Sequence, residues 1–146
     1  MSYQNAYKAY QKTNVSTASQ GRLVVLLYDG AIKNLTAALK LIGPDNKIKA
    51  GDMEQFGIHI QKTQAIITEL QVSLDMEKGG DIAKNLMSLY VYFNEQLTGL
   101  LISKDAEQIK TLLKMISDLA ESWRTIANSN ANAPAAKPKN ALNIEG

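Results

Sequence analysis

The chain has 146 residues, 45% hydrophobic, 21% charged and 6% aromatic, with 16 Lys and Arg against 14 Asp and Glu: one domain, too apolar for a disordered chain and long enough for a single core. It has no cysteine and one histidine, His59, which excludes disulfides, thiolate sites, cysteine nucleophiles and multi-histidine metal centres. A net charge of +2 is too small to imply nucleic acid; the longest apolar run, Leu23–Tyr28, falls far short of the ~20 residues of a membrane span, and Met1–Thr13 has no apolar signal region, so a cytoplasmic protein without membrane insertion is expected.

Residues 1–16 carry Tyr3, Tyr7 and Tyr10 with Lys8 and Lys12 and no acid, and are predicted to form a mobile N-terminal arm. From there apolar residues recur at steps of three and four, the period of one helix face. Val24, Leu27, Tyr28, Ala31, Leu35, Ala38, Leu39 and Ile42 predict a first helix over 17–42, opened by a Thr17–Gln20 capping box and closed by Gly43-Pro44. After a polar link, Met53, Phe56, Ile60, Thr63, Ile67, Leu70 and Leu74 predict a second over 52–76, stopped by Lys78-Gly79-Gly80. Ile82, Leu86, Leu89, Phe93, Leu97 and Leu100 mark a third over 81–102. Asp105 with Gln108 forms a second capping pair opening a fourth over 105–127, carried by Ile109, Leu112, Leu113, Ile116, Leu119, Ala120, Trp123 and Ile126. Residues 128–146, rich in Asn, Ala, Pro and Lys, are expected to be a disordered tail. No stretch has the alternation of a strand. The expected fold class is all-α, an antiparallel four-helix bundle.

Catalytic constellations are missing. The residue three before His59 is Phe56, so the Glu-x-x-His pair of a di-metal bundle is absent. Gly79-Gly80 is followed by Asp81, which would repel phosphate, and no nucleophile elbow occurs. No enzyme activity, cofactor or metal is expected. One partial motif, His59-Ile60-Gln61-Lys62, looks like the His-x-x-Lys of histidine phosphotransfer domains, with His59 as phosphoacceptor; the glycine usual after that lysine is Thr63 here. This is the alternative functional reading.

The informative feature is surplus apolar surface. Leu23 to Leu27 are five consecutive aliphatics, and successive residues turn 100°, so they cannot share one face. Val25 and Ile32 fall well away from the centre of the first stripe. The third helix carries Met87, Tyr90, Val91 and Tyr92 beyond its main line, and the second adds Ile58, Ile66 and Val72. Contiguous apolar grooves of this kind suit an amphipathic helix or an extended segment. The arm, with Tyr7 and Tyr10 three apart, could lie over such a groove until a client arrives, since tyrosine buries a ring while its hydroxyl keeps a polar partner.

A set of fragments in fixed order resembles the FliS family of flagellar secretion chaperones over about 1–127. They are Tyr7-Lys8-Ala9-Tyr10, Thr17-Ala18-Ser19, Leu26-Leu27-Tyr28-Asp29-Gly30-Ala31-Ile32 and Ile67-Thr68-Glu69-Leu70. Ser73-Leu74-Asp75 leading to Gly79-Gly80, Asn85-Leu86, Leu89-Tyr90, Tyr92, Asn94 and Trp123 complete it. The resemblance implies a non-enzymatic cytoplasmic bundle that binds the disordered C-terminal segment of flagellin, prevents premature polymerisation and assists delivery to the type III export apparatus. It makes the export gate and other flagellar proteins candidate partners. Carried over by position, the expected client-binding residues are Tyr7, Tyr10, Leu27, Tyr28, Ile32, Asn85, Leu86, Leu89 and Tyr90; Val25 joins them from the surplus apolar surface of the first helix. The family often has proline where Gln20 stands; Gln20 is expected to complete the capping box instead.

Overall fold

The computed structural model describes residues 8–10 and 17–132, with side chains for 8–10 and 20–128. Among the described residues four long helices follow one another: α1 (Thr17–Lys40), α2 (Met53–Val72), α3 (Gly80–Ser103) and α4 (Ala106–Asn132), with a 3-10 turn, Ala50–Asp52, leading into α2. Each is long enough for several turns; α1 spans about 36 Å. Cross-helix pairs fix the antiparallel order. Asn34 and Gly30 of α1 face His59 and Ile66 of α2, Gln64 and Gln71 of α2 meet Thr98 and Asn94 of α3, and Gln96 of α3 meets Gln108 of α4.

The core is built from one stripe per helix: Val24, Tyr28, Ala31, Leu35 and Ala38; Phe56, Ile60, Ile67 and Leu70; Leu86, Tyr90, Phe93, Leu97 and Leu100; Ile109, Leu112, Ile116, Ala120 and Trp123. The steps of three and four are those of the sequence, and each stripe covers the others. Thr63 is the one buried polar residue among those described; its hydroxyl donates to the His59 carbonyl at 2.9 Å, so burial leaves it satisfied. The packing is uneven. α1 lies in close backbone contact with both α2 and α4, and α3 packs on α2, whereas α3 and α4 approach each other at few points. That seam positions the candidate site.

Several boundaries depart from expectation. α1 ends at Lys40, two residues early, because Leu41 and Ile42 tighten into bonds to the Ala38 and Leu39 carbonyls and Ile42 then pairs with Ile48 across a turn. α2 ends at Val72 and not at 76. Leu74 turns into the core, and the Asp75 carboxylate accepts from the Glu77 and Lys78 amides, closing a turn that competes with the helix. Gly80, read as part of a helix stop, instead opens α3 with φ +53°. α4 runs to Asn132, so residues 128–132 of the expected tail are helical. Gln20, expected in a capping box with Thr17, whose side chain lies outside those described, donates its side-chain amide to the Tyr10 carbonyl. In the second pair Asp105 does cap α4, accepting from the Glu107 amide at 3.1 Å, but Gln108 reaches across to Gln96. The arm and tail expectations otherwise fall on residues 1–7, 11–16 and 133–146, outside the described residues.

Candidate functional site

Where α3 and α4 diverge, the arm fills the space. Ala9 and Tyr10 are both buried, Tyr10 with only 2% of its surface exposed. Four attachments hold them. The Ala9 carbonyl accepts from the Asp75 amide, and the Tyr10 carbonyl accepts from Gln20. The Tyr10 ring stands edge-on to Trp123 of α4, centroids 5.6 Å apart at 74°, a favourable aromatic geometry. Its hydroxyl hydrogen-bonds the hydroxyl of Tyr90 on α3. Gly79 admits this close approach: a Cβ there would stand 2.8 Å from the Ala9 Cα and 2.9 Å from the Asp75 carbonyl oxygen.

The Tyr90 hydroxyl is shared. It also bonds Tyr28 of α1 at 2.7 Å, and the Tyr28 and Trp123 rings lie 6.3 Å apart. The three hydroxyls thus satisfy one another inside the bundle, as buried polar groups must. Burial is the main cause raising all three tyrosine pKa values; Tyr28 is pushed up to about 12. The cluster is therefore neutral at physiological pH.

Helix geometry defines the walls of the seam. Gln96 faces α4 and Asn94 faces α2. Stepping back from Gln96 by helical repeats puts Tyr92, Leu89, Asn85 and Ile82 on the α4-facing side of α3; stepping forward from Gln108 puts Met115, Leu119 and Ile126 on the α3-facing side of α4. Leu89, Ile82, Met115, Leu119 and Ile126 are half-buried and Tyr92 is 39% exposed, so the seam is apolar and partly open.

The expected client-binding residues do not form one patch. Tyr10, Tyr28, Leu86 and Tyr90 are buried, with Tyr10 standing on Tyr90 and Tyr90 on Tyr28; Asn85 and Leu89 line the seam above them. Val25 and Ile32, half-buried against the core, lie on the side of α1 that carries Asp29 and its ion pair to Arg124 of α4; Leu27 lies on the opposite, α2-facing side. Tyr7 falls outside the described residues. Tyr90, expected beyond the main α3 stripe, is at its centre, because the true stripe runs one residue over through Ala83, Leu86, Tyr90 and Phe93. Of the surplus apolar residues, Val91 and Tyr92 are exposed, Val72 is 63% exposed, and Met87, Ile58 and Ile66 are half-buried. Sequence reasoning missed Gln20, Asp75 and Gly79 as partners of the arm. The Ser73–Gly80 segment gave the only signal, since its turn residues exceed what a simple helix stop needs.

Two other features do not make a site. His59 is half-buried with both ring nitrogens engaged: Nδ1 meets Asn34 Oδ1 at 3.0 Å and Nε2 meets the Gln55 amide at 3.2 Å. Donation from Nδ1 to the Asn34 oxygen and acceptance at Nε2 fit one neutral tautomer, and neither nitrogen points freely to a phosphodonor. At the far end of α1 an open hollow of about 730 Å3 is lined by Lys40, Lys47 and Lys49 with Asp45 and Asp52, whose mixed charge selects no ligand class. Among the described residues no cluster of side chains is suited to a metal, and no helix is long and apolar enough to cross a membrane.

The fold and seam define a helical bundle that carries a peptide seat occupied by its own arm. The chain belongs to the FliS family: the family model described as "Flagellar protein FliS" matches residues 3–130. It is similar to the flagellar secretion chaperone FliS of Salmonella typhimurium, 32% identical over 124 residues covering 82% of this chain and 88% of the relative. The Vibrio cholerae protein of the same name is 31% identical over 134 residues, 89% and 94% of the two chains. That of Bacillus subtilis is 29% identical over 129 residues, 88% and 91%.

Proposed function

We propose that this chain is a non-enzymatic, cytoplasmic flagellar export chaperone that binds the disordered C-terminal segment of flagellin along the α3–α4 seam and adjoining apolar surfaces. Binding withholds that segment from premature polymerisation and presents the subunit to the type III export apparatus. One observation carries the reading: Ala9 and Tyr10 of the arm fill the seam between α3 and α4, whereas α1 closes on α2 and α4, and α2 on α3, by helix packing. Withdrawal of Tyr10 uncovers the Tyr90 hydroxyl and the Trp123 ring together.

The energetics suit a disordered client. Ordering it costs about 1–2 kcal/mol per residue of backbone entropy, so a long apolar surface is needed at about 25 cal/mol per Å2. The seam extends along α3 and α4, and the surplus residues Leu23, Leu26, Val72 and Val91 offer further contact on the outer faces. Coupled folding and binding of this kind gives wide contact with moderate affinity, which release into an export channel requires. The arm lowers affinity further, since client binds only the fraction with the seat open.

The test is calorimetric titration of the full chain with a peptide from the last few dozen residues of the cognate flagellin. Replacing Tyr7 and Tyr10 by alanine leaves the helical circular dichroism unchanged and tightens client binding. Affinity unchanged by the double substitution removes the arm from the mechanism, and absence of binding to either protein removes flagellin as the client.

A further inference from the structure

The seat beneath the arm is more selective than an apolar groove. Two of its four attachments grip main-chain carbonyls, those of Ala9 and Tyr10, and any peptide offers these. The other two depend on side chains. Ala9 is fully buried, so a larger side chain in its place would have to displace what covers it, and the bare backbone of Gly79 lets the main chain run this close, the Ala9 Cα standing 2.8 Å from where a Gly79 Cβ would be. Beneath Tyr10, the ring meets Trp123 and the tip meets a hydroxyl that is itself buried. An aliphatic or phenyl side chain in that place would fill the volume yet leave Tyr90 one partner short in a site closed to water, and a lost partner in such a place is costly.

We infer that this seat reads two consecutive residues of any segment it accepts: a small residue against Gly79, then a long or aromatic side chain ending in a hydrogen-bonding group at the Tyr90 hydroxyl. Tyr90 is its specificity-determining residue, and Gly79 is what admits the main chain this closely. The arm meets the rule with Ala9-Tyr10. A client segment that displaces the arm meets it with a dipeptide of the same kind, such as Ala, Gly or Ser followed by Tyr, Gln or Arg. This extension to a client rests on the exchange of arm for client proposed above, whereas the rule itself does not involve flagellin.

The test uses the full chain with Tyr10→Ala, which empties the seat, and capped peptides of residues 5–12 of this sequence, Asn-Ala-Tyr-Lys-Ala-Tyr-Gln-Lys. Calorimetry and the emission of Trp123, the sole tryptophan, report binding. The native peptide binds about 3–10-fold more tightly than the one with Phe in place of Tyr10, the worth of one buried neutral hydrogen bond. The peptide with Val in place of Ala9 loses about tenfold or more. Adding Tyr90→Phe to the protein brings the Tyr-to-Phe ratio toward one. Equal affinity for the Tyr and Phe peptides, or a preference that survives Tyr90→Phe, overturns the rule.

A second measurement keeps the arm in its own chain and stands if Tyr10→Ala does not fold. Hydrogen exchange of the Asp75 amide, whose acceptor is the Ala9 carbonyl, reads opening of the seat in Tyr10→Phe and Tyr10→Gln chains. The Phe chain opens about 3–10-fold more often than the native one, and the Gln chain loses less than a Leu chain of similar size. Identical exchange in the Tyr and Phe chains overturns the rule. Flagellin takes no part in either measurement, so failure here leaves the client reading to its own titration.

Discussion

Gly79→Ala opens the seat without touching any residue that fills it. The backbone there, φ −81° and ψ −16°, is one that alanine adopts freely, so the substitution adds no strain of its own and slightly restricts the unfolded chain. The new methyl is the difficulty. It would lie 2.6 Å from the Ala83 Cβ, 2.8 Å from the Ala9 Cα and 2.9 Å from the Asp75 carbonyl oxygen, all inside ordinary contact. Overpacking of this kind costs about 1–3 kcal/mol. Ala83 belongs to α3, and the Asp75 turn is closed by its own carboxylate. The arm, attached by two carbonyl bonds and one side chain, is the part that yields. If the whole cost falls on it, the open population rises by about 5–150-fold. Faster exchange of the Asp75 amide and altered emission of Trp123 measure this, and flagellin-peptide affinity rises in step until the open form predominates. A double-mutant cycle with Tyr10→Ala locates the clash: carried by the arm, Gly79→Ala costs little global stability once Tyr10 is gone. The same loss in both backgrounds, with wild-type exchange at Asp75, refutes the reasoning.

Three further outcomes follow from the geometry. Burial raises the pKa values of Tyr28, to about 12, and of Tyr10 and Tyr90; a raised folded value means that their contribution is complete below the unfolded value near 10 and is lost as pH climbs toward 12. Tyr28 alone removes about 2 kcal/mol by pH 12, so urea midpoints fall steeply across that interval while the tyrosinate absorbance of the three buried tyrosines appears only on unfolding; flat midpoints there contradict the buried cluster. Lys104 ends α3 in the left-handed region, φ 50°, and Lys104→Gly relieves about 1 kcal/mol, less a small loss of the ammonium bond to the Leu101 carbonyl, raising Tm by about 2–4 °C. Asn46, also left-handed at φ 62°, accepts the Ala106 amide at the start of α4 at 3.3 Å; Asn46→Ala costs about 1–2 kcal/mol and Asn46→Gly less, the gap in their chemical-denaturation midpoints being the backbone share.

Much of the bundle was legible because its signals are local. Leu35, Ile60, Phe93 and Ile116 each sit in a run whose period is set by 100° per residue, and burial follows from that period whatever the neighbouring helix is. Asp105 was readable as a cap for the same reason: its partner is two residues away. The errors fall where a local signal had a distant competitor. Gln20 suited a capping box, but the Tyr10 carbonyl took its amide. The second helix could have run to residue 76, but Leu74 found the core and the Asp75 amide found Ala9. Tyr90 looked like surplus because its stripe and that of Leu89 differ by one residue, and only the placement of Tyr28 and Trp123 decides which of the two turns inward.

The candidate site was legible in part. The sequence showed apolar residues in excess of what one face per helix uses, and an arm with tyrosines suited to cover them; those are properties of composition and spacing. It did not show that α3 and α4 part while α1 holds both neighbours closely, nor that Tyr10 enters that gap with its hydroxyl on Tyr90. Helix number, length and inward face were determined by the chain itself, since intrahelical hydrogen bonds and periodic burial need only residues a few steps apart. Which seam stays open, and which side chain fills it, was decided by tertiary structure alone, because that depends on the fit of surfaces from residues as distant as Ala9, Asp75, Tyr90 and Trp123, and no spacing within the chain encodes that fit.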